Sequence, residues 1–162
     1  MRIGVIGDTH NNMRSIEKII EIFERRGVGR VVHTGDVTQP KVLDALSQLS
    51  MPVHGVYGNN DQGERPGLDE SAARHGMAWA DGPLEVEWSG RRILVVHDPR
   101  DLQPHLGPHH DLALHGHTHL YRHEEIDGAV VFNPGECAGM MAGQNRVGLV
   151  DLVSLQCEIE HF

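Results

Sequence analysis

Three short apolar runs, "RIGVIG", "RVVHTG" and "PVHGVYG", each end in a glycine followed at once by Asp or Asn: Gly7-Asp8, Gly35-Asp36 and Gly58-Asn59. Between the first two runs, Met13, Ile16, Ile19, Ile20 and Phe23 recur at helical spacing behind Asn12, a suitable N-cap. Pro40 suits the first turn of a second helix near residues 40–49. This β-α-β-α-β rhythm calls for parallel strands joined by right-handed crossovers. Parallel strands present their carboxyl ends along one edge, where sites form. The three glycine-led loops therefore converge.

The second half changes character. "LEVEWSGRRILVVHD" reads as a hairpin turning at Ser89-Gly90. "LALHGHTHL", "YRHEEIDGAVVFNPG" (with a turn at Asp127-Gly128) and "RVGLVDLVSLQCEIEHF" add further strands. Helix is scarce there, confined to residues 68–76 and a short piece near 100–107. The expected fold class is α/β. Parallel units come first and largely antiparallel strands follow, forming two facing mixed sheets with flanking helices. At 162 residues the chain suits one domain over 1–162.

Composition excludes several classes. The formal charge of −9, from 23 acidic against 14 basic residues, argues against broad attraction to nucleic acid or an anionic membrane. A phosphate-bearing substrate is still admissible, because bound cations reverse the local sign. Cys137 and Cys157 lie far apart with no CxxC spacing, so a reducing, cytoplasmic setting is expected rather than a disulfide scaffold. "MRIGVIGDTHNN" reads as neither a signal peptide nor a membrane span.

The polar residues collect at strand ends. "ILVVHD" ends in His97, and "LALHGHTHL" carries His115, His117 and His119, which on an extended chain would share one face. Taken singly, an Asp or Asn after a strand is a turn former or cap, and a lone His is a surface residue. The ordered set D-x-H, G-D, G-N-x-D, a strand-terminal His and G-H-x-H is far more specific. It gathers Asp8, His10, Asp36, Asn59, His97, His117 and His119.

From Asp8 to His119, extending to "NPGE" at Asn133–Glu136, these motifs resemble the calcineurin-like metallophosphoesterase family, and in particular its small single-domain bacterial and archaeal phosphodiesterases. The resemblance implies a four-layer α/β/β/α sandwich and a two-metal site. Asp8, His10 and His119 would hold one ion, Asn59, His97 and His117 the other, and Asp36 would bridge. His115 has no counterpart in the motif and reads as a packed strand residue. The implied cofactors are two divalent transition-metal ions, with Mn²⁺ the usual activator and Fe, Zn, Ni or Co alternative occupants. Mixed N/O ligation fits that choice. Two carboxylates against two divalent ions leave roughly two positive charges, which suits a phosphodiester anion. The implied reaction is hydrolysis of a small phosphodiester by a hydroxide bridging two metals, with Asp36 and Asn60 as the catalytic side chains.

Asn60 departs from the pattern, since many members carry histidine there to contact the phosphate and assist the leaving group. An amide donates a hydrogen bond to a phosphoryl oxygen but supplies no proton near neutral pH. Asp61 is left without that ring to orient. Asp98 suits either an orienting carboxylate or a loop acid, and Glu136 is placed to tie down a ligand loop. Tyr57 and Tyr121 adjoin ligand segments and are candidates to stack on substrate. His105, His109 and His110 read as solvated, with a substrate-facing flap as the alternative. Competing functions are a phosphomonoesterase or nucleotide phosphatase, and a non-catalytic metal-binding scaffold on the same fold. An edge strand near the C-terminus could pair two copies.

Overall fold

A computed structural model describes residues 1–162. Strands β1 (Arg2–Ile6), β2 (Arg30–His33) and β3 (Val53–Val56) alternate with helices α1 (Met13–Arg26) and α2 (Pro40–Leu46), and the three strands pair in parallel. Asn12 caps α1 by accepting from the Ser15 amide at 3.2 Å, and Gly27 ends the helix in a left-handed conformation. A 3₁₀ turn (Asn59–Glu64) and α3 (Arg65–Arg74) lead to β4 (Ala78–Ala80), a fourth parallel strand that the sequence reading did not anticipate. Three residues are too few to display a period.

The hairpin of β5 (Leu84–Trp88) and β6 (Arg91–Val95) turns at Ser89 and Gly90, both at positive φ, as the twist of a two-residue hairpin requires. A 3₁₀ turn (Pro99–Asp101) and the single-turn α4 (Leu102–His105) precede β7 (Leu112–Leu114). Strands β8 (Arg122–Ile126) and β9 (Ala129–Asn133) form the second hairpin, and β10 (Arg146–Asp151) and β11 (Cys157–His161) close the chain.

The strand order is β11-β10-β1-β2-β3-β4 in one sheet and β5-β6-β7-β9-β8 in the other. The largely antiparallel second half expected from the sequence holds in both hairpins, in β10–β11 and in β1–β10, but β6, β7 and β9 run parallel. The connection from β6 to β7 is a crossover over the sheet face, and crossovers deliver parallel neighbours.

Period-two alternation divides the core. Ile3, Val5, Val32, Val56 and Val150 of one sheet meet Ile93, Val95, Leu112, Leu114 and Phe132 of the other. Ile6 and Val31 face outward under Ile16, Ile19, Phe23, Leu43 and Leu68 of α1–α3. Leu94, Val96, Ala113 and Val131 face the opposite way, under Leu102 of α4. The result is the four-layer sandwich, with a thin outer layer on the β6 side. No helix is long and apolar enough to cross a membrane.

Candidate metal centre

The loops after β1, β2, β3, β6 and β7 meet at one edge. His97 donates Nδ1–H to the Thr34 carbonyl (2.9 Å), which leaves the Nε2 lone pair 3.0 Å from Asn59 Oδ1 and 3.2 Å from His117 Nδ1. His117 Nδ1 also lies 3.0 Å from Asn59 Oδ1, while its Nε2 faces Asp98 at 3.7 Å. Three acceptor atoms at these separations repel one another unless a proton or a cation lies among them. Neighbouring ligands of a metal bound at about 2.1 Å are about 3 Å apart at right angles, so this trio fits an ion.

The second set lies alongside. His10 Nε2 is buried and has no hydrogen-bond partner, and its ring centroid is 5.6 Å from that of His119. His119 Nε2 is 3.7 Å from Asp8 Oδ1, and both Asp8 oxygens accept from the His117 amide at 2.9 and 3.1 Å. Burial raises the Asp8 carboxyl to about 6, against the opposing pull of His119 and His97. Asp36 is buried between the sets, with Oδ1 3.5 Å from His97 Nε2. Asp8, Asp36 and His97 all bring ligand atoms within 4.8 Å of one another. All seven residues anticipated from the sequence thus stand on one edge, in two adjoining groups.

Backbone geometry explains why short loops suffice. Asp8, His10, Asp36, His117 and His119 all have φ between 47° and 69°. A left-handed residue costs a non-glycine side chain about 1 kcal/mol or more, and such strain concentrates at functional sites. It also overturns the extended-chain reading of "HGHTH". β7 stops at Leu114, and the left-handed turns send His117 and His119 to different groups. His115 stays buried, donating Nδ1–H to the Gly116 carbonyl and receiving Arg122 at Nε2.

Four further side chains hold these loops together, and of these only His33 was not singled out in the sequence. His33 accepts the Gly35 N–H at Nδ1 (3.1 Å), so its Nε2–H faces Thr9 Oγ1 at 2.9 Å and links the Asp8 and Asp36 loops. Full burial keeps it neutral, with its pKa down to about 3. The one available signal was a polar residue inside the valine run "RVVH". Asp61, also fully buried, accepts from the amides of Gly58 (2.7 Å), Thr38 (2.7 Å) and Asp36 (3.1 Å), so it clamps backbone instead of orienting a ring. Glu136 is buried with Oε2 3.0 Å from His119 Nδ1 and Oε1 accepting the Met141 amide at 2.6 Å, which is the loop-tying role expected of it. Asn133 holds the histidine loop through the Gly116 carbonyl and Thr118.

Other expectations resolve differently. Asn60 is exposed, and its Nδ2 donates to Asp36 Oδ2 (2.7 Å) and its backbone N–H to Oδ1 (3.0 Å). Asp98 joins Arg100, whose guanidinium holds the carboxyl down to about 2. Tyr57 is unavailable for stacking, since Arg65 covers its ring at 3.7 Å and its hydroxyl donates to Asp69. His105 and His109 are exposed as expected, His105 donating to the Asp101 carbonyl, but the solvated reading is corrected for His110, which is buried and lies against Glu85 of β5, away from the edge. Glu85, His109 and His110 also cluster, but His110 Nδ1 accepts from Gly107, so Nε2 carries the hydrogen and offers no lone pair.

A cleft of about 990 Å³ opens beside Asn59, His97 and His117, walled by Gln62, Arg65, Asp81, Asp98, Arg100 and Asp101. Fold and edge together define an α/β sandwich protein with a metal-capable cluster of imidazole, carboxylate and amide ligands. Residues 1–154 match the calcineurin-like phosphoesterase superfamily domain, and the chain belongs to that family. It is 33% identical over 155 residues to the phosphodiesterase MJ0936 of Methanocaldococcus jannaschii, spanning 93% of each chain. It is 26% identical over 154 residues to the phosphodiesterase YfcE of Escherichia coli K12, covering 83% of this chain and 78% of that one. The structure of an archaeal phosphodiesterase superposes over the whole of both chains with a TM-score of 0.90 at 31% identity. Vps29 of Entamoeba histolytica, solved with zinc, shares the fold alone, with a TM-score of 0.67 at 21% identity over 100% of this chain and 98% of its own.

Proposed function

We propose that this chain is a metal-dependent phosphodiesterase acting on a small phosphodiester, with residues 1–162 as one catalytic domain. The reading rests on the meeting of His97 Nε2, His117 Nδ1 and Asn59 Oδ1, with Asp36 between them and the Asp8, His10 and His119 group. Asp8, His10 and His119 would hold one ion and Asn59, His97 and His117 the other, bridged by Asp36. Two divalent ions, with Mn²⁺ favoured, supply an acidified water and neutralise phosphoryl charge when bound. The chain's own part is positional. Thr34 and Glu136 fix the tautomers of His97 and His119, and Asp61 and His33 lock the loops. Asn60 orients Asp36 through both of its N–H donors and, being exposed, would be free to turn its amide toward a phosphoryl oxygen. It has no proton to hand to a departing alkoxide, which favours activated leaving groups and diesters over alkyl monoesters.

The test is turnover of bis(4-nitrophenyl) phosphate against 4-nitrophenyl phosphate by metal-stripped protein, with and without Mn²⁺, beside an Asp36→Asn variant. Metal-dependent cleavage favouring the diester and lost in the variant is expected. A monoester preference would replace the reading with a phosphomonoesterase, and metal binding without turnover of either would favour the scaffold.

A further inference from the structure

In the cleft beside Asn59, His97 and His117, each arginine on the wall already has a carboxylate. Arg65 gives Nη1–H to Asp81 at 2.9 Å, and Arg100 grips Asp98 through Nε at 2.9 and 3.1 Å. Asp101 adds a third carboxylate. Arg65 is no loose surface cation. It opens α3 directly after the 3₁₀ turn that begins at Asn59, its guanidinium lies 3.7 Å over the Tyr57 ring, and its Nε is buried without a hydrogen-bond partner. Asp81 arrives on a different element. It directly follows β4, whose parallel pairing with β3 puts its carboxyl end on the edge that carries Asp8, Asp36 and Asn59. The Arg65–Asp81 pair is thus built into the edge from two directions, and it shares one cavity with three candidate ligands.

Building on the phosphodiesterase reading above, we propose that one alcohol arm of the diester is an uncharged polyol, glycerol- or sugar-like, whose neighbouring hydroxyls seat on Asp81 and Arg65. An apolar arm finds no surface in this cleft, because Tyr57 is the one hydrophobic residue on its wall and Arg65 covers that ring. A second anion meets three carboxylates, and the two guanidiniums that could receive it are already paired. A hydroxyl both donates and accepts. Two on adjacent carbons can therefore give to the Asp81 carboxylate and receive from the Arg65 guanidinium without parting the pair. A strand-end carboxylate takes a ribose hydroxyl in the same manner in dinucleotide-binding folds.

The experiment measures calorimetric binding of sn-glycerol 3-phosphate and of propyl phosphate to the Mn²⁺-loaded protein. Both carry one phosphate on three carbons, so the two hydroxyls are the difference, and the comparison is independent of which arm of a diester departs. A net hydrogen bond is worth about two- to tenfold, so glycerol 3-phosphate is expected to bind at least about fivefold tighter. In Asp81→Ala, at a side chain 77% exposed, and in Arg65→Lys, which loses the planar fork, that ratio is expected to fall toward one. The thermal midpoint checks the fold of each variant. A ratio near one in the parent protein, or one that survives both variants, overturns the proposal and leaves the phosphodiesterase reading standing. A third probe, 3-(phosphonooxy)propanoate, carries a second anion. If it binds tighter than glycerol 3-phosphate and is weakened in Arg65→Lys, the cleft is an anion site and the proposal is overturned. Turnover of bis(4-nitrophenyl) phosphate is followed alongside, and its absence overturns the phosphodiesterase reading and the proposal together.

Discussion

Asn60 donates twice to Asp36, and that single residue sets the expected limits of the chemistry. Asn60→His restores a group able to carry a proton, so activity toward alkyl and other poor leaving groups is expected to rise by roughly 10²-fold. Aryl diesters of graded leaving-group pKa would reveal it as a shallower dependence on that pKa, and an unchanged slope would remove Asn60 from the reaction. Glu136→Gln keeps one acceptor for His119 Nδ1 but loses the charge and one of the two contacts. Mn²⁺ affinity is expected to fall about tenfold by calorimetry. Gly58 is a third single-atom constraint. A Cβ there would lie 2.1 Å from Asp36 Oδ1, so Gly58→Ala must displace Asp36 and should abolish binding of one ion.

At the scale of elements, the centre is made by short loops at the ends of stiff strands, and stability has to hold five left-handed residues in place. Asp61 and His33 do much of this. Asp61→Asn offers one carbonyl where a carboxylate now receives three amides. A weakening of metal binding by about 10–100-fold is expected, with a lowered thermal midpoint in the metal-free protein. The strands themselves were legible, because β1, β2, β3, β6 and β9 are continuous apolar runs bounded by turn residues. β4 and the parallel β6-β7-β9 arrangement were not. The first is too short to carry a pattern, and strand direction follows from how the crossover packs, which no residue within the strand encodes.

Across the whole molecule, burial perturbs titration in opposing senses. His33 (to about 3), His115 (to about 4), His10 and His54 are lowered, whereas Asp8 (to about 6) and Asp61 are raised. Burial is the leading cause in each. Between about pH 6 and 4 the unfolded chain binds protons at histidines that the folded chain keeps neutral, which removes stability on acidification. The raised carboxyls act the other way, because the folded chain holds their protons longer. Among the three groups with values the two histidines outweigh the one carboxyl, so acidification through this window removes stability on balance. Denaturation of metal-free protein at pH 7 and 5 should therefore show the lower midpoint at pH 5. Metal binding should raise the midpoint, by about 2.7 kcal/mol of stability when the free ion stands at a hundredfold its Kd.

By itself, the sequence determined the parallel β/α units and which candidate ligand residues stand at strand ends, because periodicity and strand-end position are local properties of the chain. That both Asn60 donors turn to Asp36, and that Asp61 clamps three amides, were decided by tertiary structure. Left-handed backbone turns and buried hydrogen bonds arise only when loops from distant strands close on one another.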